Sequence, residues 1–172
     1  MMRAASALVA LSLAAGACIG SDPPPDATSR VADPPGDVQP APSSDTPQPP
    51  GIDLVSAELA RIDGTLRFTA TTADAGGDRP RLWVVRLRDT KGVLLHMLYA
   101  GDEGVMLCNH ARFCSNRVAV AAFDTTPTSV DVRLPMPGLP DRFEWEASAS
   151  ASFTADIDDT WNDSAPTAIL SG

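Results

Sequence analysis

The sequence predicts an all-β domain, an antiparallel β-sandwich of about eight strands. Apolar and polar residues alternate with a period of two from residue 52 onward, as they do in half-buried strands. Turn-forming residues divide this region into short segments, which is typical of sandwiches. No segment shows a convincing helical period. We assign residues 51–172 to this domain, residues 1–17 to a signal peptide and residues 18–50 to a disordered, proline-rich linker.

The first residues have the composition of an export signal. Arg3 is the only charge before Ser21, and residues 4–15 are almost entirely apolar. That run is shorter than the ~20 residues needed to span a bilayer, so it predicts a signal peptide. Residues 15–18, Ala-Gly-Ala-Cys, resemble a bacterial lipobox, although Ala15 stands where Leu is usual. We therefore expect cleavage before Cys18 and lipidation of its thiol; the alternative is simple secretion.

This leader predicts a location in the bacterial cell envelope, on the extracytoplasmic side. The membrane partner is then the lipid anchor at Cys18, and without lipidation the protein would be secreted. The formal net charge of −9 argues against nucleic acid, whose binding requires a basic surface. A net negative charge of this size helps to keep a protein soluble, and solubility alone is a sufficient explanation for it.

Residues 21–50 contain ten of the sixteen prolines and almost no apolar side chains. Such composition cannot form a core, and proline favours an extended chain of about 3.1 Å per residue. We interpret the segment as a spacer. One alternative is that residues 33–37, Asp-Pro-Pro-Gly-Asp, fold back on the domain as a turn that supplies carboxylates.

The first strands follow directly from the alternation. Residues 53–61 and 65–71 predict a hairpin, because Asp63-Gly64 is a favoured type I′ turn. Residues 81–89 alternate around Trp83. Residues 93–99 are apolar on both faces, which predicts a strand near the centre of its sheet.

The second half of the domain predicts further strands at residues 105–107, 117–123, 130–134, 142–154 and 167–170. The clearest alternation lies in 142–154, where aromatic and alanine side chains occupy one face and glutamates and serines the other. We expect the polar face to meet solvent. The strand number suits a jelly-roll or an immunoglobulin-like sandwich.

Cys108 and Cys114 are the two cysteines left after the leader. An even pair in an exported protein predicts a disulfide. A metal site of Cys108, His110 and Cys114 is the alternative, but it lacks a fourth ligand and the usual cysteine spacing.

No catalytic motif is present, and we predict that the protein is not an enzyme. His96 and His110 are the only histidines. Glu144 and Glu146 lie on one face of a predicted strand, about 6.5–7 Å apart. That spacing occurs in inverting glycosidases, but any strand with this pattern produces it, so a solvated face is the preferred interpretation.

The densest group of carboxylates lies between residues 156 and 163. Ca²⁺ prefers several oxygen ligands on a loop, and this segment offers four carboxylates, those of Asp156, Asp158, Asp159 and Asp163. An acidic surface loop is the alternative. Trp161 is a candidate for stacking on a sugar, or for fixing the loop to the core.

Five short pieces of the chain resemble secreted bacterial β-sandwich domains related to the DOMON and family 9 carbohydrate-binding modules. These pieces are residues 33–37, 53–57, 63–66, 143–145 and 163–166. The resemblance implies a structural calcium ion shared by acidic residues near the first strand and near the C-terminus: Asp33, Asp37, Asp53 and Asp163. The tryptophan pair that binds sugar in the carbohydrate modules has no counterpart here.

Together these observations predict a non-catalytic envelope lipoprotein whose sandwich is a binding or structural module, with calcium as the only expected cofactor. Its partner is an unknown protein or glycan. Carbohydrate binding through Trp161 is the first alternative, and a hydrolase using Glu144 and Glu146 is the second.

Overall fold

The predicted fold class is confirmed: two antiparallel sheets pack together as a β-sandwich. The computed structural model describes residues 26–39, 51–75, 81–101, 104–109, 113–115, 119–152 and 160–171. These residues form twelve strands: β1 (Ala27–Ala32), β2 (Leu54–Ile62), β3 (Thr65–Thr72), β4 (Arg81–Arg88), β5 (Leu94–Gly101), β6 (Gly104–Asn109), β7 (Phe113–Ser115), β8 (Ala122–Thr126), β9 (Ser129–Pro135), β10 (Arg142–Ser152), β11 (Thr160–Ser164) and β12 (Ala168–Ser171).

The first sheet has five strands in the order β1-β2-β3-β9-β8. The second has seven strands; six follow the order β11-β10-β4-β5-β6-β7, and β12 pairs with β10 beyond the end of β11. None of the described segments is a helix long and apolar enough to cross a membrane. The interior position of β5 agrees with its apolar composition on both faces.

The hairpin between β2 and β3 has the predicted turn. Asp63 and Gly64 have φ angles of 49° and 72°, and a type I′ turn requires positive φ at both central residues. This turn fixes the register, so that Leu59 lies opposite Phe68 and both side chains enter the core.

The core lies between the facing surfaces of the two sheets. Its largest fully buried side chains are Trp83, Trp145, Phe68 and Phe143. The alanines of β10 are buried as well, and Trp83 on β4 lies directly opposite Ala149. A bulky side chain therefore fills the space beside a small one, as close packing requires.

The outer face of β10 is less exposed than the alternation predicted. Glu144 and Glu146 are partly exposed, but Ser148 and Ser150 are buried. The hydroxyl of Ser150 donates to the Leu82 carbonyl oxygen over 3.3 Å. Because β10 has neighbours on both sides, these small serines lie below the longer side chains around them.

The predicted disulfide is confirmed. Cys108 on β6 lies opposite Cys114 on β7 in the strand register, and their sulfur atoms are bonded. The strand predicted at residues 117–123 is displaced, since the structure has β8 at Ala122–Thr126, paired with β9 in the first sheet.

Strand β1 corrects the predicted extent of the linker. It lies within residues 18–50, yet it pairs with β2 from Ala27 to Ala32. Only Ala27 and Val31 of this strand pack against the core, so the sequence pattern is weak. Backbone pairing with the edge of β2 supplies hydrogen bonds that do not depend on apolar side chains.

Replacing Ser29 by alanine tests how β1 is attached. The Ser29 hydroxyl accepts a hydrogen bond of 3.0 Å from Nε1 of the fully buried Trp145. Without this acceptor, the buried Nε1–H group of Trp145 has no hydrogen-bond partner. We therefore expect the free energy of unfolding to fall by about 1–2 kcal/mol. Urea unfolding measures this change. Thr28→Ala, at an exposed neighbour on β1, is the control, and an equal loss in both variants contradicts the interpretation.

Candidate metal centre

The acidic turn after β1 lies against the start of β2. The backbone N–H of Asp33 donates to the Val55 carbonyl oxygen over 3.1 Å. The N–H of Gly36 donates to Oδ2 of Asp53 over 2.9 Å, and Gly36 has a φ of 91°, a conformation that favours glycine. Residues 33–37 therefore do fold back on the domain, and they bring carboxylates to its edge.

Asp163 approaches the same place from the other sheet. It lies on β11, opposite the buried Ala149 of β10, and is itself only 3% exposed. Its Oδ2 accepts a hydrogen bond of 2.6 Å from the Leu54 N–H, at the start of β2. Its Oδ1 accepts one of 2.9 Å from the Ser164 N–H. The Asp163 carboxylate thus links the second sheet to the first.

Three carboxylates meet at this edge of the sandwich. One oxygen from each of Asp33, Asp37 and Asp163 lies within 4.8 Å of the others. Asp33 and Asp163 are buried, whereas Asp37 is exposed. The site therefore has an inner part shielded from water and one ligand at the surface, where an ion can enter.

Two buried carboxylate oxygens here lack hydrogen-bond partners. They are Oδ2 of Asp33 and Oδ1 of Asp53, in residues that are 7% and 8% exposed. Asp53 is not one of the three clustered residues, but its other oxygen binds the turn that carries Asp33. Burying a carboxylate oxygen without a partner is costly, and a bound cation would satisfy both atoms.

The electrostatics agree with this geometry. Burial raises the pKa of Asp33, and the nearby negative charges of Asp163, Asp37 and Asp53 raise it further, to about 6. Burial also raises the pKa of Asp163, against the lowering effect of the Leu54 N–H. Among the described residues, no arginine or lysine forms a salt bridge with these carboxylates.

The residues present suit a hard divalent cation. Carboxylate oxygens are the ligands that Ca²⁺ prefers, and its flexible coordination tolerates ligands from separate segments. Asp33, Asp37 and Asp163 supply three such ligands, and Asp53 has a free oxygen beside them. The cation would also neutralise charges that the protein itself leaves uncompensated.

Among the other predicted site residues, several fall outside the part of the chain that the structure describes. Asp156, Asp158, Asp159 and Cys18 lie outside the described residues. Asp163 was expected on an acidic loop, but it belongs to strand β11.

Trp161 also lies on β11, with its backbone paired to Ala151. The sugar-binding role predicted for its side chain lies outside what the structure describes.

Glu146, one of the two candidate catalytic glutamates, and His96 have side-chain partners. Oε1 and Oε2 of Glu146 accept hydrogen bonds from Arg86 and Arg88, over 3.3 and 2.9 Å. Nδ1 of His96 lies 2.7 Å from Oδ1 of Asn109. His110 lies outside the described residues.

Comparison with known proteins identifies no relative. No family model, no curated protein and no solved structure matches the chain. The assignment of a candidate metal site therefore rests on the positions of these carboxylates in the structure alone.

Sequence reasoning did not anticipate the backbone partners of this site. The N–H groups of Leu54 and Gly36 orient Asp163 and Asp53 respectively. The glycine of the acidic turn was the only local signal for either contact. Nothing in the sequence marks Leu54, because any residue except proline supplies the same N–H group at that position.

Proposed function

We propose that the protein is a non-catalytic envelope lipoprotein whose β-sandwich is a binding or structural module stabilised by one calcium ion. The observation that carries this proposal is the buried carboxylate cluster, above all the unpaired Oδ2 of Asp33 and Oδ1 of Asp53. The ion would be held by Asp33, Asp37 and Asp163, with Asp53 beside them. Its role is structural, because it joins the ends of segments from both sheets.

The leader and the disulfide support the proposed location. The signal-like segment ends at Cys18, whose lipidation would attach the protein to a membrane. The Cys108–Cys114 bond suits an oxidising, extracytoplasmic compartment.

Strand β1 shortens the proposed tether. Only residues 19–26 separate Cys18 from the first residue of β1, a reach of roughly 30 Å when fully extended. The domain would therefore lie closer to the membrane than a spacer of residues 18–50 would place it. The second proline-rich stretch, residues 40–50, would then connect two parts of the domain.

The ion pairs of Glu146 favour a structural role for that residue over catalysis. Its two oxygens are shared between Arg86 and Arg88, so its carboxylate is engaged rather than free to accept a proton from a water. Among the described residues, no contact favours sugar binding over the role of a non-catalytic module.

The change in melting temperature with calcium tests the proposal. At a free calcium concentration ten times Kd, binding to the folded state alone stabilises by ~1.4 kcal/mol, which corresponds to about 5 °C for a domain of this size. Differential scanning calorimetry of the purified protein in EDTA, Ca²⁺ and Mg²⁺ measures the effect.

Two variants of equal charge change make the test specific. Asp37→Ala removes the exposed ligand without touching a buried hydrogen bond, so we expect it to abolish most of the calcium response. Asp124→Ala, at an exposed position on β8, should respond like the parent. An unchanged melting temperature of the parent at millimolar calcium would falsify the ion site.

A further inference from the structure

The segment that supplies two of the three clustered carboxylates is weakly attached to the domain. We call residues 27–37, which comprise β1 and the acidic turn, the strap. Its strand is at the edge of the first sheet, and β2 is its one partner among the described strands. No residue of β1 is fully buried, and alternate positions are exposed.

Besides its ladder with β2, the strap is held by the N–H bonds of Asp33 and Gly36, by the ion pair of Arg30 with Glu58, and by the packing of β1 beside β12 of the second sheet. None of the side chains of β1 itself is fully buried. Ala27 and Val31 pack against the core as partly buried side chains, and Ser29 accepts the hydrogen bond from Trp145. The three inner strands of this sheet, β2, β3 and β9, each place several buried side chains in the core, whereas β8 at the opposite edge is exposed along its length. Segments with little buried apolar surface open at lower free energy than the core strands.

The acidic end of the strap makes its attachment dependent on charge. Asp33 and Asp37 lie on the strap, whereas Asp163 lies on β11 and Asp53 immediately precedes β2. Without a cation, four carboxylates repel one another across the junction between the strap and the sandwich. With a divalent cation, the same oxygens become shared ligands that join the strap to both sheets.

We propose that the cation acts as a lock on the strap: calcium holds residues 27–37 on the sandwich, and its loss releases them while the two sheets remain folded. This inference rests on the proposed function, because it requires the same ion site. Release would leave β2 as the edge of its sheet, with its outer N–H and C=O groups free to pair with another strand.

The lock has a mechanical consequence in a lipid-anchored protein. The strap is the first described segment after the proposed anchor at Cys18, so any pull from the membrane reaches β1 before the rest of the domain. Calcium would then set how firmly the domain is held at its membrane end.

Hydrogen exchange with mass spectrometry, read segment by segment, tests the inference. In calcium, the amides of β1 that pair with β2 should be protected. In EDTA they should exchange at least about tenfold faster, as local opening requires, whereas the amides of β3, β4 and β10 should keep their protection. Isothermal titration calorimetry on the same preparation measures calcium binding separately.

Asp37→Ala tests the same inference at a proposed ligand, and Asp124→Ala is its matched control. In Asp37→Ala, the calcium concentration that restores half of the β1 protection should rise about tenfold or more, because a ligand is lost. In Asp124→Ala it should stay at the parent value.

The three outcomes are distinct. Selective loss of β1 protection in EDTA, with calcium binding seen by calorimetry, supports the lock. Calcium binding with β1 protection that is unchanged, or that falls together with β3, β4 and β10, overturns the lock and leaves the proposed ion site intact. No calcium binding overturns the ion site, and the lock with it.

Discussion

Replacing Asp163 by alanine is expected to lower the free energy of unfolding in calcium by roughly 3–5 kcal/mol. Its carboxylate accepts N–H bonds from Leu54 and Ser164, and Leu54 is fully buried. The variant leaves that buried donor unpaired and also loses the bound ion. Urea unfolding in calcium and in EDTA measures both effects.

The comparison between the two conditions separates the hydrogen bonds from the ion. In EDTA the loss should be smaller, because the variant also removes a charge that repels Asp33. Asp163→Asn keeps one acceptor oxygen, so we expect an intermediate loss of stability. A change below about 0.5 kcal/mol for Asp163→Ala, the size of an ordinary surface substitution, would contradict this account of the junction.

The metal-free protein is expected to become more stable as the pH falls from about 7.5 toward 5, by roughly 1–1.5 kcal/mol from Asp33 alone. Its pKa rises from an ordinary value of 3.8 to about 6 in the folded protein. The folded state therefore binds more protons than the unfolded state between these two values, and stability falls as the pH rises through that window. Above the folded pKa the full penalty of the ionised, buried group is present.

In calcium, the dependence of stability on pH should have the opposite sign. Protons compete with the ion for the carboxylates, so stabilisation by calcium should weaken as the pH falls below about 6. Urea unfolding in EDTA and in calcium across this range measures both slopes. In Asp33→Asn the metal-free slope should flatten, and equal slopes in the variant and the parent would show that Asp33 is not its source.

The strands that sequence predicted best are those with one buried face. The alternation around Leu59, Phe68, Trp83 and Trp145 reflects core packing directly, and the Asp63-Gly64 turn confirms the register of the first hairpin. Strands β1, β7 and β11 were missed for the opposite reason. They are edge or short strands, and their segments of the sequence show no clear alternation of apolar and polar residues.

The candidate site was harder to predict from the sequence than the strands were. Local density drew attention to residues 156–163, since a single sequence shows only which carboxylates are neighbours along the chain. Asp33 and Asp163 come together because β1 and β11 lie at the same edge of the sandwich, a fact of topology. Only the resemblance to secreted sandwich domains grouped Asp33, Asp37, Asp53 and Asp163 in advance.

The link between Leu54 and Asp163 also bears on the order in which the domain assembles. These residues are 109 positions apart in the chain, and Ser29 and Trp145 are 116 apart. Contacts of such long range are slow to form, because closing a long loop costs chain entropy before the contact is gained. A chain exported from its N-terminus would carry Asp33 and Asp37 across the membrane well before Asp163 followed. The carboxylate cluster is therefore complete only when nearly the whole domain has been delivered and folded.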